Sequence, residues 1–139
     1  MDFERLLEDA NEAMSRAYAP YSGFHVGAAL LGEDGSVHVG CNVENASYGL
    51  TMCAERSAVA SAVGAGVRTY RAIAIVTDGD QPVAPCGACR QVLAEFGPGL
   101  RFASAAGGKR REWSLRSEEH TSELQPQAYL VCRLLLEKT

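Results

Sequence analysis

The sequence predicts an α/β protein in which helices alternate with the strands of one layered sheet. Apolar residues recur at helical spacing across residues 2–17, whereas the almost entirely apolar run 71–76 is typical of a buried central strand. Glycine- and proline-rich segments, such as residues 97–99, separate these patterns. With 139 residues, 47% of them hydrophobic, the chain is long enough to form one domain with its own core.

The first half of the chain is predicted to contain a helix, a hairpin and a second helix. The amphipathic helix over residues 2–17 ends before Pro20, because proline disfavours helical backbone at the residue before it. Strands over 25–31 and 37–41 flank a short turn and form the hairpin. A polar loop then leads to the second helix, over residues 53–65, which a pair of glycines ends.

The second half adds the central strand and the rest of the sheet. The strand over 71–76 leads through a loop to a third helix, residues 86–96, which a Gly-Pro-Gly run stops. Two final strands, over 100–105 and 111–115, are joined by a glycine turn. We therefore expect a mixed sheet of about five strands, with the second and third helices packed on one face.

Charge and cysteine usage exclude several classes of function. The net charge of -4 argues against a nucleic-acid groove, which is usually basic. No run of about 18 apolar residues is present, so the sequence predicts no membrane-spanning segment. Five cysteines, an odd number that clusters around one motif, fit metal binding in a reducing cytoplasm better than a disulfide framework.

Three cysteines and one glutamate have the spacing of a catalytic zinc site. Cys86 and Cys89 are separated by two residues at the predicted start of the third helix, where they share one side of the first turn. Cys53 would supply a third sulfur, which leaves the fourth tetrahedral position open for water. Glu55 follows Cys53 by two residues, so both can face one pocket only if Cys53 lies in the first turn of its helix.

Four segments together resemble the small, homotetrameric cytidine deaminases. They are residues 24–29, 42–47, 53–56 and 85–91, and the last two match the zinc-deaminase signature. The resemblance extends over residues 1–115. It implies a three-layer fold, a homotetramer with one Zn²⁺ per subunit, and hydrolytic deamination of cytidine and deoxycytidine to uridine and deoxyuridine in pyrimidine salvage. The enzyme class implied is a zinc-dependent hydrolase that acts on a cyclic amidine.

The resemblance also implies roles for residues near the predicted ligands. Glu55 would carry protons as the catalytic residue, and Arg56 would hydrogen-bond a ligand sulfur. The substrate-binding positions it implies are Phe24 (packing on the pyrimidine), Asn42 and Glu44 (holding the ribose 3′-hydroxyl) and Ala54 (a backbone contact to the base). From the residues alone, Phe24 is equally an ordinary core side chain and the two loop polars are turn caps. His25 and His38 have no motif partner and are assigned structural roles.

Two other functions fit the same residues. The chain could be a zinc deaminase of another amino-pyrimidine nucleoside, such as a nucleoside antibiotic, although the ribose pair argues against it. It could also be a zinc-binding protein that binds partners without turnover or is impaired in catalysis. An acidic residue beside an open coordination position argues against that class.

The character of the sequence changes after residue 115. Residues 116–125 and 130–137 are spelled, residue for residue, by two ordered blocks of sequencing-adapter codons, so residues 116–139 are interpreted as a non-native tail. The alternative is a C-terminal helix, because Leu130 and Leu134 recur at helical spacing. On the first interpretation, residues 1–115 form a C-terminally truncated deaminase domain whose tetramer is perturbed.

Overall fold

The computed structural model describes residues 3–85, 87–96 and 99–114. Within these ranges the chain forms a five-stranded sheet and three α-helices. The helices are α1 (Glu4–Met14), α2 (Ala54–Gly64) and α3 (Gly87–Phe96). The strands are β1 (Val26–Gly32), β2 (Val37–Cys41), β3 (Tyr70–Thr77), β4 (Arg101–Ala106) and β5 (Lys109–Ser114). None of these helices has the length and hydropathy needed to cross a bilayer.

The strands lie in the order β2-β1-β3-β4-β5. β1 is antiparallel to both β2 and β3, and β4 is antiparallel to β5. β3 and β4 are parallel, which requires a crossover connection, and α3 supplies it. The predicted mixed α/β sheet of about five strands is confirmed.

The sheet separates two cores, with α1 on one face and α2 and α3 on the other. Alternate residues of β3 point to opposite faces, so Ile73 packs with α2 and α3 whereas Ala74 packs with α1. The small side chains on the α1 face let that helix approach closely. At Gly27 of β1, an added Cβ would lie 1.9 Å from the carbonyl oxygen of Ala10. This is the predicted three-layer arrangement, with both motif-bearing helices on one face.

The ends of two predicted elements differ from the structure for local reasons. Helix α1 stops at Met14 rather than at residue 17, because the Ser15 hydroxyl donates to the carbonyl oxygen of Glu12 and the following turns are tightened. Strands β4 and β5 extend to the two-residue turn at Gly107 and Gly108, both of which have positive φ. Such a turn matches the twist of paired strands, so pairing continues up to it.

Gly40 in β2 brings that strand against the first turns of α2. A Cβ added there would lie 2.4 Å from the backbone nitrogen of Ala58 and 2.6 Å from the carbonyl oxygen of Ala54. We expect Gly40→Ala to lower the free energy of unfolding by roughly 1–3 kcal/mol or more, because backbone atoms must shift. Urea denaturation measures the change. Gly64→Ala, at the end of α2, is the control, since its added Cβ meets nothing within 4 Å; equal stability of the two variants would contradict the close packing.

Candidate metal and catalytic site

A short backbone pairing joins the polar loop after β2 to the start of α2. Val43 and Met52 exchange two N–H···O bonds of 2.9 Å each. Because Val43 lies between Asn42 and Glu44, and Met52 precedes Cys53, this pairing brings the two predicted motifs together. The same loop is held from the other side by Tyr18, whose N–H donates to the Asn42 carbonyl oxygen at 3.0 Å.

Cys53 is the N-cap residue of α2. Its backbone is extended, with φ -72° and ψ 153°, and the helix begins at the next residue. Glu55 therefore lies in the first turn and is 7% exposed, while Ala54 is 1% exposed. Because Cys53 precedes the helix, the two-residue separation from Glu55 does not force the side chains onto opposite helix faces. The sequence predicted Cys53 in the first turn, and the structure places it one residue earlier, at the N-cap, where it still lies at the helix terminus.

Helix α3 carries Cys89 to the same place. Cys89 is fully buried and packs with Cys53 and Ala84 in a small cluster, called here the cysteine pocket. Two of the three predicted sulfur ligands are thus neighbours in a buried site. The third, Cys86, lies outside the described residues, and among the residues that are described no group of three metal-binding side chains is assembled.

The guanidinium of Arg56 lies against the first of these sulfurs. Its Nη2 is 3.5 Å from Cys53 Sγ and 3.4 Å from the carbonyl oxygen of Thr51. A cationic donor at this position favours the negative charge that a metal-binding sulfur carries. Helix α2 begins at Ala54, directly after Cys53, and the partial positive charge of its amino terminus also favours a negative charge on this sulfur.

Asn42 and Glu44 are both buried and hold the segment that leads into β1. The Asn42 side chain accepts from the Val26 N–H at 2.9 Å and donates to the Phe24 carbonyl oxygen at 2.8 Å. Glu44 Oε1 accepts the N–H groups of Tyr21 and Ser22 at 3.0 and 3.1 Å, and Oε2 accepts the Ser22 hydroxyl. These side chains therefore both have structural partners.

Phe24, the predicted aromatic contact, lies between this loop and the end of β3. Its side chain is half-buried and packs at the edge of the core shared with α2 and α3. Its N–H donates to the Ser22 hydroxyl at 3.0 Å. The ring also lies close to Gly79, in the loop after β3. The position of Phe24 is thus determined by three separate segments.

Trp113 was not identified from the sequence, although it contacts the cysteine pocket. It lies in β5, a mostly exposed and charged strand, and stacks on Phe102 with ring centroids 5.6 Å apart. Its indole Nε1 is buried and has no hydrogen-bond partner in the part of the chain that the structure describes. A single large aromatic residue in a strand that is otherwise charged was the available signal.

Comparison with known proteins assigns this chain to a family. Residues 1–103 match the family model described as the cytidine and deoxycytidylate deaminase zinc-binding region. A cytidine deaminase of Sporosarcina psychrophila is 56% identical over 96 residues, which cover 69% of this chain and 71% of the relative. A cytidine deaminase of Halalkalibacterium halodurans is 58% identical over 98 residues, covering 70% and 74% of the two chains.

Solved structures agree with the sequence matches. The crystal structure of cytidine deaminase from Burkholderia pseudomallei superposes with a TM-score of 0.80 at 51% identity, covering 84% of this chain and 95% of that one. The Mycobacterium tuberculosis cytidine deaminase gives a TM-score of 0.74 at 42% identity, covering 85% and 94%. The similarity therefore includes both the fold and the sequence over most of the chain.

Proposed function

The chain belongs to the family of cytidine and deoxycytidylate deaminases with a zinc-binding region, and from this premise we propose that it hydrolyses cytidine and deoxycytidine to the corresponding uridines, releasing ammonia. The observation that carries the proposal is the pair of buried sulfurs, Cys53 and Cys89, beside the buried carboxyl-bearing first turn of α2. Zinc is the cofactor of this family region.

The donor set fits zinc. Cys53, Cys86 and Cys89 are proposed as its three protein ligands, and thiolate is a preferred zinc donor. A Zn²⁺ ion together with three thiolate ligands would have a net negative charge. Arg56, at 3.5 Å from Cys53 Sγ, and the amino terminus of α2 offset part of that charge. When bound, zinc supplies a water molecule whose pKa is lowered from about 16 towards 7.

Glu55 is the proposed proton carrier. Water adds at C4 of the pyrimidine, and the Glu55 carboxylate accepts the proton that this water loses. The carboxyl group then gives that proton to N3. As the C4–N bond breaks and the carbonyl of the uracil ring forms, the proton of the added hydroxyl group passes through Glu55 to the departing amino group, which leaves as ammonia. Burial of Glu55 in the first turn of α2 restricts its access to bulk water and keeps it near the sulfur ligands.

A spectroscopic assay tests this function. Cytidine should lose its ultraviolet absorbance as uridine forms, and a panel with deoxycytidine, cytosine and modified amino-pyrimidine nucleosides should show preference for the first two. Turnover of a modified nucleoside but not of cytidine would show that the chain is a deaminase of another amino-pyrimidine nucleoside. Stoichiometric zinc without turnover of any member would contradict the proposed reaction.

We also propose that Ala54 contacts the base through its backbone, that Phe24 packs on the pyrimidine, and that Asn42 and Glu44 hold the ribose 3′-hydroxyl. The matching residues of the family and the burial of both polar side chains support this. Glu44 Oε1 already accepts two backbone N–H groups, so Oε2 is the oxygen on which a sugar hydroxyl would replace or join Ser22.

The Glu44 contact predicts non-additive kinetics. Glu44→Gln should lower kcat/KM for cytidine by roughly tenfold or more, because a charged hydrogen bond to the 3′-hydroxyl is lost. The same substitution should cost much less with 3′-deoxycytidine, which lacks that hydroxyl. Steady-state kinetics of both proteins on both nucleosides measure the coupling. Equal losses on the two nucleosides would assign Glu44 to holding the loop alone.

An exposed apolar row supports a homotetramer, which is proposed here on the family's precedent. Tyr18, Val43 and Met52 are adjacent through backbone bridges and are 56%, 44% and 38% exposed. Apolar side chains grouped in this way are typical of contacts between subunits. Light scattering of the purified chain tests the assembly. The odd number of cysteines and their clustering around one metal-binding motif support a reducing, cytoplasmic location.

We further propose the division into a deaminase domain, residues 1–115, and a non-native tail, residues 116–139. The tail lies outside the described residues, so the codon pattern alone supports it. The effect of the tail can be tested by comparing this chain with a variant in which a family-like C-terminal segment replaces residues 116–139. Equal rates and equal mass in solution would show that the altered ending does not impair the enzyme.

A further inference from the structure

The loop after β3 contacts the segment that carries Phe24. Strand register causes this: Val26 of β1 pairs with Thr77 of β3, so the next residues, His25 and Asp78, face each other beyond the strand ends. The His25 N–H donates to Asp78 Oδ1 at 3.1 Å, and the Asp78 N–H donates to the His25 carbonyl oxygen at 3.2 Å. His25 Nδ1 lies 2.7 Å from Asp78 Oδ2.

These contacts position the backbone next to Phe24 and contribute little to the free energy of folding. Both side chains are 38% exposed, so water and salt screen the attraction between them. What the three contacts do is fix the backbone of the residue that directly follows Phe24. On the other side, Asn42 holds the Phe24 carbonyl oxygen and Ser22 holds its N–H. The aromatic residue is thus fixed from both directions along the chain.

Gly79 sets the position of the ring itself. A Cβ added at Gly79 would lie 3.1 Å from Phe24 Cε1 and 3.8 Å from Cζ, so the ring rests directly on the glycine backbone. Gly79 is in turn held by its N–H, which donates to Thr77 Oγ1 at 3.3 Å. The reason for glycine here is the close approach of the ring, since its φ is not in the left-handed region.

We infer that His25, Asp78 and Gly79 are positioning residues that set the depth of the Phe24 ring and thereby the affinity of the site for the pyrimidine. The inference rests on the proposed function, in which Phe24 packs on the base. Asp78 fixes the backbone next to the aromatic, and Gly79 supplies the surface beneath its ring. None of the three is proposed to contact the reacting atoms.

Gly79→Ala is the primary test, with Gly64→Ala as the matched control. Gly79→Ala should raise KM for cytidine, and the Kd for uridine measured by calorimetry, roughly three- to tenfold, because a displaced ring stacks less well on the base. kcat should change less than KM, since the reacting groups are untouched. In a Phe24→Ala background the substitution should have no further effect on KM, whereas a general structural defect would add to it.

Asp78 gives a second test that does not depend on Gly79→Ala folding. Asp78→Ala should raise KM, while Asp78→Asn should restore most of the wild-type value, because its amide can accept from the His25 N–H and donate to Nδ1. Unchanged KM in both Gly79→Ala and Asp78→Ala would overturn the inference while wild-type turnover leaves the proposed function standing. If the wild-type chain did not turn over cytidine, the proposed function would be overturned instead. In that case, a Kd for uridine that is unchanged in Gly79→Ala and Asp78→Ala would overturn the positioning role.

Discussion

Replacing Glu55 by Gln is expected to leave zinc bound and to reduce kcat for cytidine by at least a hundredfold. Glutamine has the same shape but cannot accept the proton from water or deliver one to N3, and proton transfer by a positioned carboxylate contributes about 10²–10⁴ in rate. Because Glu55 is buried in the first turn of α2, bulk water has little access with which to replace it as proton carrier.

Two measurements decide this prediction. Metal analysis should give the wild-type zinc content, and single-turnover kinetics should locate the defect in chemistry rather than in product release. Glu95→Gln, an exposed glutamate on α3, is the matched control and should retain wild-type kinetics. A Glu55→Gln enzyme with more than a tenth of the wild-type rate would remove Glu55 from the proposed mechanism.

Substitution of Cys89 by Ala should have the other large effect, on both metal and stability. Cys89 is fully buried in the cysteine pocket, so its loss removes a sulfur donor and leaves space where the metal would be held. We expect zinc content well below one per chain and no measurable turnover. The midpoint of thermal unfolding should fall by roughly 10 °C or more, because bound metal stabilises only the folded chain.

The fluorescence of the chain's single tryptophan provides the readout. Trp113 contacts the cysteine pocket, so its emission should respond to metal removal by a chelator and follow thermal unfolding. Cys41→Ala is the control, because Cys41 lies at the end of β2 and is not among the proposed ligands. If Cys89→Ala retained stoichiometric zinc and normal stability, Cys89 would not be a ligand.

Much of the fold could be predicted because it follows from local patterns. The apolar run of strand 71–76 and the helical spacing of apolar residues in the first helix each extend over several residues. Small errors at the ends of these elements therefore do not change the architecture. The glycine turn at Gly107 and Gly108 was equally evident, because only glycine readily takes positive φ at two successive positions. The two-residue separation of Cys86 and Cys89 could be recognised for the same reason, because it too is a pattern within a few residues of the sequence.

What the sequence alone determined is therefore the α/β class, the motifs and the chemistry they suggest, since each depends on residues a few positions apart. The tertiary structure decided which of them meet. Cys53 and Cys89 share a pocket because α2 and α3 pack on the same face of the sheet. His25 contacts Asp78, 53 residues later, because the register of β1 against β3 places them opposite each other. Such contacts depend on strand pairing over long separations, which no short sequence pattern encodes.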